Sequence, residues 1–547
     1  MINQILNELK ENIKQIMIDE NVTDDVEIMF EIPKDESHGD YSTNIAMRLA
    51  KYMRKAPIAI ANEIVNKIDI EKHHLSKIEI AGAGFINLYL DQNYLSNVVF
   101  KILQEKENYG SVNVGNGQKV LLEYVSANPT GYLHIGHGRG AAYGDSLSRV
   151  MKKAGYNVTR EHYVNDAGNQ INNLAESIYQ RYRELFNLSC ELGDDSYHGK
   201  EIIEIAKMIR DEKGDYYLNN PYFDDFRKFG VDFLLNGLKK DLKEFNVEFD
   251  NWFSERSLYE SNQVQKTLAF LKEKNYTYEH EGAVWLKTTE YGDEKDRVLV
   301  KTDGSLTYLT PDIAYHQNKL ERGYDHLIDV LGADHHGYIN RLKAAIAFVG
   351  GNPDLLDVEI LQMVRALQNG VEVKMSKRSG KAITLKDLID EVGSDALRYL
   401  YISKSLSTHM DLDLDLAVKN TTENPVFYVQ YAYARIASLF RVVEENGHKF
   451  VEVKEFKVID QNKIKKIVSM LLQYPQYVEE AANKRIPHKI CQYVYSLAGT
   501  LHSYYNEEKI ITENIEELNE KLTLLKAVQI VLKDALGLIG VNTVERM

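Results

Sequence analysis

The spacing of apolar residues changes character twice along this chain, and the changes predict three regions. In the first, Ile5, Leu6, Leu9, Ile13, Ile16 and Met17 recur at helical spacing. Pro33, Gly39 and Asp40 mark a turn, and Ser42 or Thr43 is placed to cap a helix from Asn44 to Met53. Residues 78–90, IEIAGAGFINLYL, read as two strands around a glycine turn. Residues 1–112 are therefore expected to form a small α+β domain. The second region alternates short apolar runs with helical patterns. Val120 to Val125 has the character of a buried parallel strand. Ser126, Asn128, Pro129 and Gly131 break the chain, and a segment with Ala141, Ala142, Leu147 and Val150 then predicts a helix opening at His134. A second strand is expected from Gly155 to Tyr163, and further parallel strands at Arg297–Val300 and His326–Leu331. Between them, residues 172–290 carry long helical patterns rich in acids, Tyr and Asn, which predicts a helical insertion. In the third region, 395–547, the pattern is helical throughout. The expected fold class is α/β: a doubly wound, Rossmann-type parallel-sheet domain over 113–394, entered through the glycine-rich stretch 113–120. An N-terminal α+β domain precedes it and an all-helical C-terminal domain follows it.

Composition narrows the class. At 547 residues the chain exceeds one compact core, and ~150 residues per domain predicts three or four units. Apolar content of 44% and charged content of 27% are those of a globular protein. There is no apolar run of the ~18 residues a membrane span needs, so no membrane partner is expected. The N-terminal stretch is amphipathic and acid-rich, without the basic and apolar segments of a signal peptide. The two cysteines, Cys190 and Cys491, offer neither a zinc spacing nor a disulfide framework, which fits a reducing cytoplasm. A net charge of −15 argues against indiscriminate nucleic-acid binding but leaves room for a local basic face.

Four stretches carry candidate chemistry. A strand, a glycine-containing turn and a helix beginning at His134-Ile135-Gly136-His137 form a phosphate site, because the first amides of a helix lack partners and its dipole favours an anion. The histidines lie one turn apart and can donate to phosphate, while Gly136 admits a nucleotide closely. Tyr308 and Asp312 lie four apart, where the competing reading is a capped helix start at Thr310 or Asp312. Leu331 to Tyr338 ends a strand in a glycine turn, the usual place for a ligand in an open α/β sheet. Its adjacent His335 and His336 make a poor zinc signature, and no metal ligands are expected. Val373 to Gly380 crowds Lys374, Lys377 and Arg378 into a loop that is otherwise a solvated basic turn. In the helical region Tyr428, Tyr431, Arg435 and Leu439 share a stripe, and Lys484, Arg485 and Lys489 make the surroundings basic, a combination suited to RNA backbone and unstacked bases.

HIGH at His134–His137 and KMSK at Lys374–Lys377, on either side of an α/β domain, resemble the paired signatures of class I aminoacyl-tRNA synthetases. Within that class the chain resembles the arginyl-tRNA synthetases over nearly its full length. PKDESHGDYSTNIAM is similar to their added N-terminal domain, which contacts the tRNA elbow; SANPTGYLHIGHGRG is similar to their HIGH region; and Asp395–Tyr399, DALRY, matches the motif naming their anticodon-binding domain. The resemblance implies catalytic roles for His134, His137, Lys374 and Lys377. It implies an ATP site of His134, Gly136, His137, Lys374, Met375, Ser376 and Lys377, with Mg²⁺ assisting. It implies an L-arginine site of Glu123, Asn128, Tyr308 and Asp312, with His335 standing where relatives often carry Gln. Tyr431, Arg435, Lys484 and Arg485 are the expected contacts to tRNA-Arg, and the family is generally monomeric. Paired carboxylates at Glu123 and Asp312 suit arginine, a planar cation with five donors. Three alternatives compete: a class I synthetase for another amino acid, a nucleotidylyltransferase sharing the His-x-Gly-His motif, and a non-catalytic tRNA-binding relative.

Overall fold

The computed structural model describes residues 2–373 and 383–547, so Lys374, Met375, Ser376 and Lys377 lie outside the described residues. The N-terminal region pairs Tyr41–Thr43, Phe85–Leu90 and Leu75–Ala81 in an antiparallel sheet against the helices Ile2–Asp19, Ile45–Met53 and Pro57–Asn66. The second of these helices starts at Ile45, whose amide donates to Thr43 Oγ1 at 3.2 Å. Arg48 on this helix donates to the Glu27 carbonyl, and Lys55 just beyond its end pairs with Glu20 and Glu63.

Five parallel strands form the central sheet, in the order Leu356–Leu361, His326–Gly332, Lys119–Glu123, Asn157–Val164, Asn251–Ser254. The chain runs outward from Lys119–Glu123 in one direction, then returns beside it and runs outward in the other. The strand order therefore reverses between Lys119–Glu123 and His326–Gly332, and a crevice opens at the carboxyl ends of the strands there. The 19-residue helix Ile135–Lys153 leaves that crevice and packs behind the sheet, with Gly144 against the Tyr124 ring. A Cβ on Gly144 would lie 2.2 Å from that ring, so no larger residue fits this crossing.

Two sequence expectations need correction. The helical insertion is Asn169–Glu184, Lys200–Lys213 and Phe223–Glu244 around its own core of Leu174, Ile178, Tyr182, Ile202, Ile205 and Phe226. It ends before Asn251–Ser254, which belongs to the parallel sheet. Arg297–Val300, expected in that sheet, instead pairs antiparallel with Ala283–Leu286, which pairs with Thr277–His280. The reason is burial. Lys119–Glu123 is buried from its second residue on, as a central parallel strand requires, whereas only Leu299 is buried in Arg297–Val300.

Helices Pro425–Glu445, Gln461–Asn483, His488–Glu507 and Ile515–Leu538 form the C-terminal bundle. It shares one contiguous core with the N-terminal domain and the sheet. Arg398 of the DALRY stretch is fully buried at this junction. It donates to Asp145 Oδ2 at 2.6 Å and to the carbonyls of Ile539, Phe245 and Asn246 at 3.0–3.1 Å.

Candidate active site

A cavity of about 1190 Å³ lies at the switch point. Its floor is the end of Lys119–Glu123 and the turn after it, where Val125 (φ 69°) and Ser126 (φ 40°) hold left-handed conformations. A β-branched residue there is strained, and such strain persists where surrounding contacts fix a site. The Ser126 hydroxyl supplies such contacts, donating to Glu123 Oε1 at 2.8 Å and accepting from the Tyr163 amide at 3.1 Å.

The histidine motif caps its own helix. His134 Nδ1 accepts from the amides of Gly136 (3.1 Å) and His137 (3.4 Å), and His137 Nδ1 accepts from the His134 amide (3.2 Å). The Gly136 and His137 amides expected to meet phosphate are therefore already occupied, and the groups the motif leaves facing the cavity are the rings. Burial, then the neighbouring His134 and His162, lowers His137 to about 3, and burial lowers His134 as well. Both rings are thus neutral at pH 7. With Nδ1 accepting, each carries its proton on Nε2. The rings stack at 3.6 Å and form a pair of uncharged donors on the cavity wall. Thr384 bridges to His134, and the Leu385 amide donates to the Leu133 carbonyl, so the chain following the KMSK stretch is anchored beside these histidines.

The carboxylates divide into two groups. Glu123 lines the cavity but is already matched: Lys319 Nζ lies 2.6 Å from its Oε2 and 2.8 Å from Asp329 Oδ1, and the Tyr315 hydroxyl lies 2.8 Å from the same Glu123 oxygen. Burial opposes ionisation of Asp329, but Lys319 and His316 outweigh it and hold that carboxyl at about 2. Glu123, expected at the arginine site, thus reaches the cavity with Lys319 and Tyr315 already on its Oε2, while burial still raises its pKa. Asp312 and Glu255 are the unmatched pair. Asp312 does not cap its helix; it sits in the first turn of Leu309–Glu321, and its Oδ2 accepts from the Tyr338 hydroxyl. Burial raises its pKa. Glu255 follows directly on Asn251–Ser254 and is 7% exposed; burial, with the like charge of Asp312 adding to it, pushes its carboxyl up to about 7. Sequence reading passed over Glu255 because its strand was absorbed into the helical insertion; its signal was a carboxylate at a strand's carboxyl end.

Other expected residues stand around the rim. Asn128 lines the cavity and donates to Gln170 at 2.7 Å. Tyr308 stands at the mouth, 72% exposed. His335 also reaches the lining, exposed and 3.4 Å from Asp334. Far from the cavity, Tyr431 is exposed and stacks on His502 at 5.6 Å, and Arg435 lies over the Tyr505 ring at 4.0 Å. Lys484 is exposed and pairs with Glu480. Arg485, expected to meet tRNA, is committed elsewhere: its guanidinium pairs with Asp357 and Glu359 of the edge strand, where it docks the bundle onto the sheet.

A parallel sheet with a histidine-capped helix at its reversal is the arrangement of a class I aminoacyl-tRNA synthetase catalytic domain, and the family match selects it over a nucleotidylyltransferase. Residues 98–419 match the family described as tRNA synthetases class I (R), catalytic domain. Residues 3–90 match the arginyl tRNA synthetase N terminal domain, and residues 429–547 the DALR anticodon binding domain. The chain is 50% identical over 551 residues to a Bacillus subtilis protein named arginine–tRNA ligase, covering 100% of this chain and 99% of that one. It is 49% identical over 554 residues to its namesake from Anoxybacillus flavithermus, covering 100% of both. The Thermus thermophilus arginyl-tRNA synthetase structure shares the fold, with a TM-score of 0.75 at 21% identity, over 99% of this chain and 100% of that one. The chain belongs to the arginyl-tRNA synthetases.

Proposed function

We propose that this chain activates L-arginine with ATP and transfers it to tRNA-Arg. The observation that carries the amino-acid identity is the pair Asp312 and Glu255: two carboxylates on one cavity, neither in an ion pair with a cation among the described residues, beside the histidine-capped helix. Arginine supplies the missing charge and a fork of donors.

In the first step the arginine carboxylate attacks the α-phosphorus of ATP, and the bond to the bridging oxygen breaks to release pyrophosphate. In the second the 2′-hydroxyl of the terminal adenosine attacks the adenylate carbonyl, and AMP leaves with the electron pair. The chain contributes positioning and charge stabilisation and forms no covalent intermediate. His134 and His137 donate from Nε2 to phosphate oxygens. Lys374 and Lys377, with Met375 and Ser376 between them, neutralise the triphosphate, and Mg²⁺ enters with ATP as part of that substrate. Asp312, Glu255, Asn128 and Tyr308 hold arginine. Tyr431, Arg435 and Lys484 face tRNA. The enzyme acts as a cytoplasmic monomer, and no described helix is long and apolar enough to cross a membrane.

ATP–pyrophosphate exchange measured across the twenty amino acids, with and without tRNA-Arg, tests the reading. Exchange with arginine alone among them is the expected result. Exchange with another amino acid in place of arginine, or with none under either condition, overturns it.

A further inference from the structure

Asp312 shares its side of the cavity with a tyrosine. The Tyr338 hydroxyl gives its only proton to Asp312 Oδ2, so what Tyr338 offers a ligand is an oxygen lone pair. Together the two groups make a surface that only accepts hydrogen bonds. A guanidinium only donates, so it matches that surface; a ureido group of the same shape turns a carbonyl oxygen toward it and is repelled.

Such a hydroxyl fixes a carboxylate only if its own ring is fixed. Tyr338 immediately precedes the helix Ile339–Phe348, and Arg341 lies one turn on, its guanidinium over the Tyr338 ring at 4.7 Å from the centroid. Arg341 Nε lies 3.8 Å from Asp293 Oδ2. Asp293 is in turn fixed by two bonds of 2.7 Å from Arg297, and its amide donates to the Thr288 carbonyl at 3.2 Å. Its side chain is 2% exposed. The small antiparallel sheet, Thr277–His280 with Ala283–Leu286 and Arg297–Val300, thereby becomes the buttress of the amino-acid pocket.

We propose that Tyr338 is a specificity-determining residue for the guanidinium end of arginine, and that Arg341, anchored on Asp293 and Arg297, is the positioning residue acting through it. The proposal rests on the reading of Asp312 as the guanidinium site. Among the described residues Tyr338 makes the one side-chain hydrogen bond to that carboxylate, and so sets the direction in which it faces.

The test is steady-state aminoacylation of tRNA-Arg by the full-length enzyme. Tyr338→Phe removes one hydroxyl and should raise the arginine KM about tenfold, as for a bond to a charged group, while the ATP KM stays at its wild-type value. Competitive inhibition by citrulline should strengthen relative to arginine binding in the same variant. Arg341→Met should raise the arginine KM less, and Arg341→Lys, which keeps a cation over the ring, should recover most of it. The double variant Tyr338→Phe/Arg341→Met should be no worse than Tyr338→Phe alone, because a residue acting through the hydroxyl has nothing to act on once it is gone. Additive losses in the double variant overturn the proposal, as does an unchanged arginine KM in Tyr338→Phe. Asp312→Asn separates this from failure of the underlying reading. If it raises the arginine KM while Tyr338→Phe does not, only the tyrosine proposal falls; if Asp312→Asn leaves the KM unchanged, both fall.

Discussion

Single residues decide what this pocket holds, through the difference between a matched and an unmatched carboxylate. Glu123 and Asp329 share the single cation Lys319. Among the described residues Asp312 and Glu255 have no such partner, and burial makes their charge costly. Asp312→Asn keeps the shape and removes the charge, so the arginine KM should rise roughly tenfold or more, the worth of a charged hydrogen bond of ~1.5–3 kcal/mol. Melting should be unchanged, since Asp312 does not cap its helix. Glu255 adds a pH dependence. Its folded pKa, at about 7, lies above that of an exposed glutamate, so ionisation costs the free protein stability as pH rises through 7, and bound arginine restores it. The shift in melting temperature produced by saturating arginine should therefore grow from pH 6 to pH 8, and Glu255→Gln should flatten that dependence. A shift independent of pH in the wild-type enzyme would remove Glu255 from the arginine site. That Asp312 and Tyr308 lie together on the cavity was legible in the sequence because their motif is local. The matching of Glu123 was not, because Lys319 lies 196 residues away on the helix Leu309–Glu321, which only the tertiary fold packs against that strand.

At the scale of elements, the histidine helix shows what patterning conveys and what it conceals. Its start, its small-residue face and its preceding strand could all be read from spacing. That His134 would occupy the Gly136 and His137 amides could not, because two groups competed for those donors, phosphate and imidazole, and spacing does not rank them. The outcome converts a helix-dipole site into a pair of neutral Nε2–H donors. Histidine can be separated into its two roles by His134→Asn. Asparagine is a strong N-cap, so the helix and the melting temperature should persist. The donor to phosphate is lost, and single-turnover adenylate formation should slow roughly a hundredfold, the cost of one donor to developing charge. A large fall in melting temperature with little change in rate would assign His134 to the cap alone. The same element carries a stability signature. The folded pKa of His137, about 3, is depressed below its unfolded value near 6.5. Its contribution is complete above pH 6.5 and is lost as pH falls from there toward 3. The misread strands show the other limit of patterning: Arg297–Val300 and Asn251–Ser254 are four residues each, too short for periodicity to separate a sheet centre from a peripheral hairpin.

Across the whole molecule, the junction at Arg398 joins what the sequence divides into regions. Its guanidinium holds Asp145 on the histidine helix, the Phe245 and Asn246 carbonyls behind the insertion, and the Ile539 carbonyl at the end of the last helix. Arg149 reinforces the same point, reaching Asp145 at 2.7 Å and the Gly537 carbonyl at 3.2 Å. Gly540 closes it, with φ 69° and space for no side chain: a Cβ there would lie 2.2 Å from the Arg398 guanidinium. The histidine-capped helix is thus tied at its middle to the bundle that carries Tyr431 and Arg435. Three arginines, Arg149, Arg160 and Arg398, stand on one buried aspartate, so removing any one leaves the acid partly compensated and the loss is graded. Arg398→Met should therefore cost no more than the ~3–5 kcal/mol of a buried ion pair that loses its one partner. In a chain of several regions that loss need not be a single transition. Urea unfolding followed separately by Trp252 and Trp285 fluorescence, both in the catalytic region, and by helical circular dichroism should show the bundle and the catalytic region falling out of step. The mechanical link gives a second readout. If the junction transmits anticodon-side binding to the histidine helix, tRNA-Arg should accelerate arginine-dependent pyrophosphate exchange in the wild-type enzyme and much less in Arg398→Met, assayed below its unfolding transition. Equal acceleration in both, with unfolding still split, would show the junction to be a staple and nothing more.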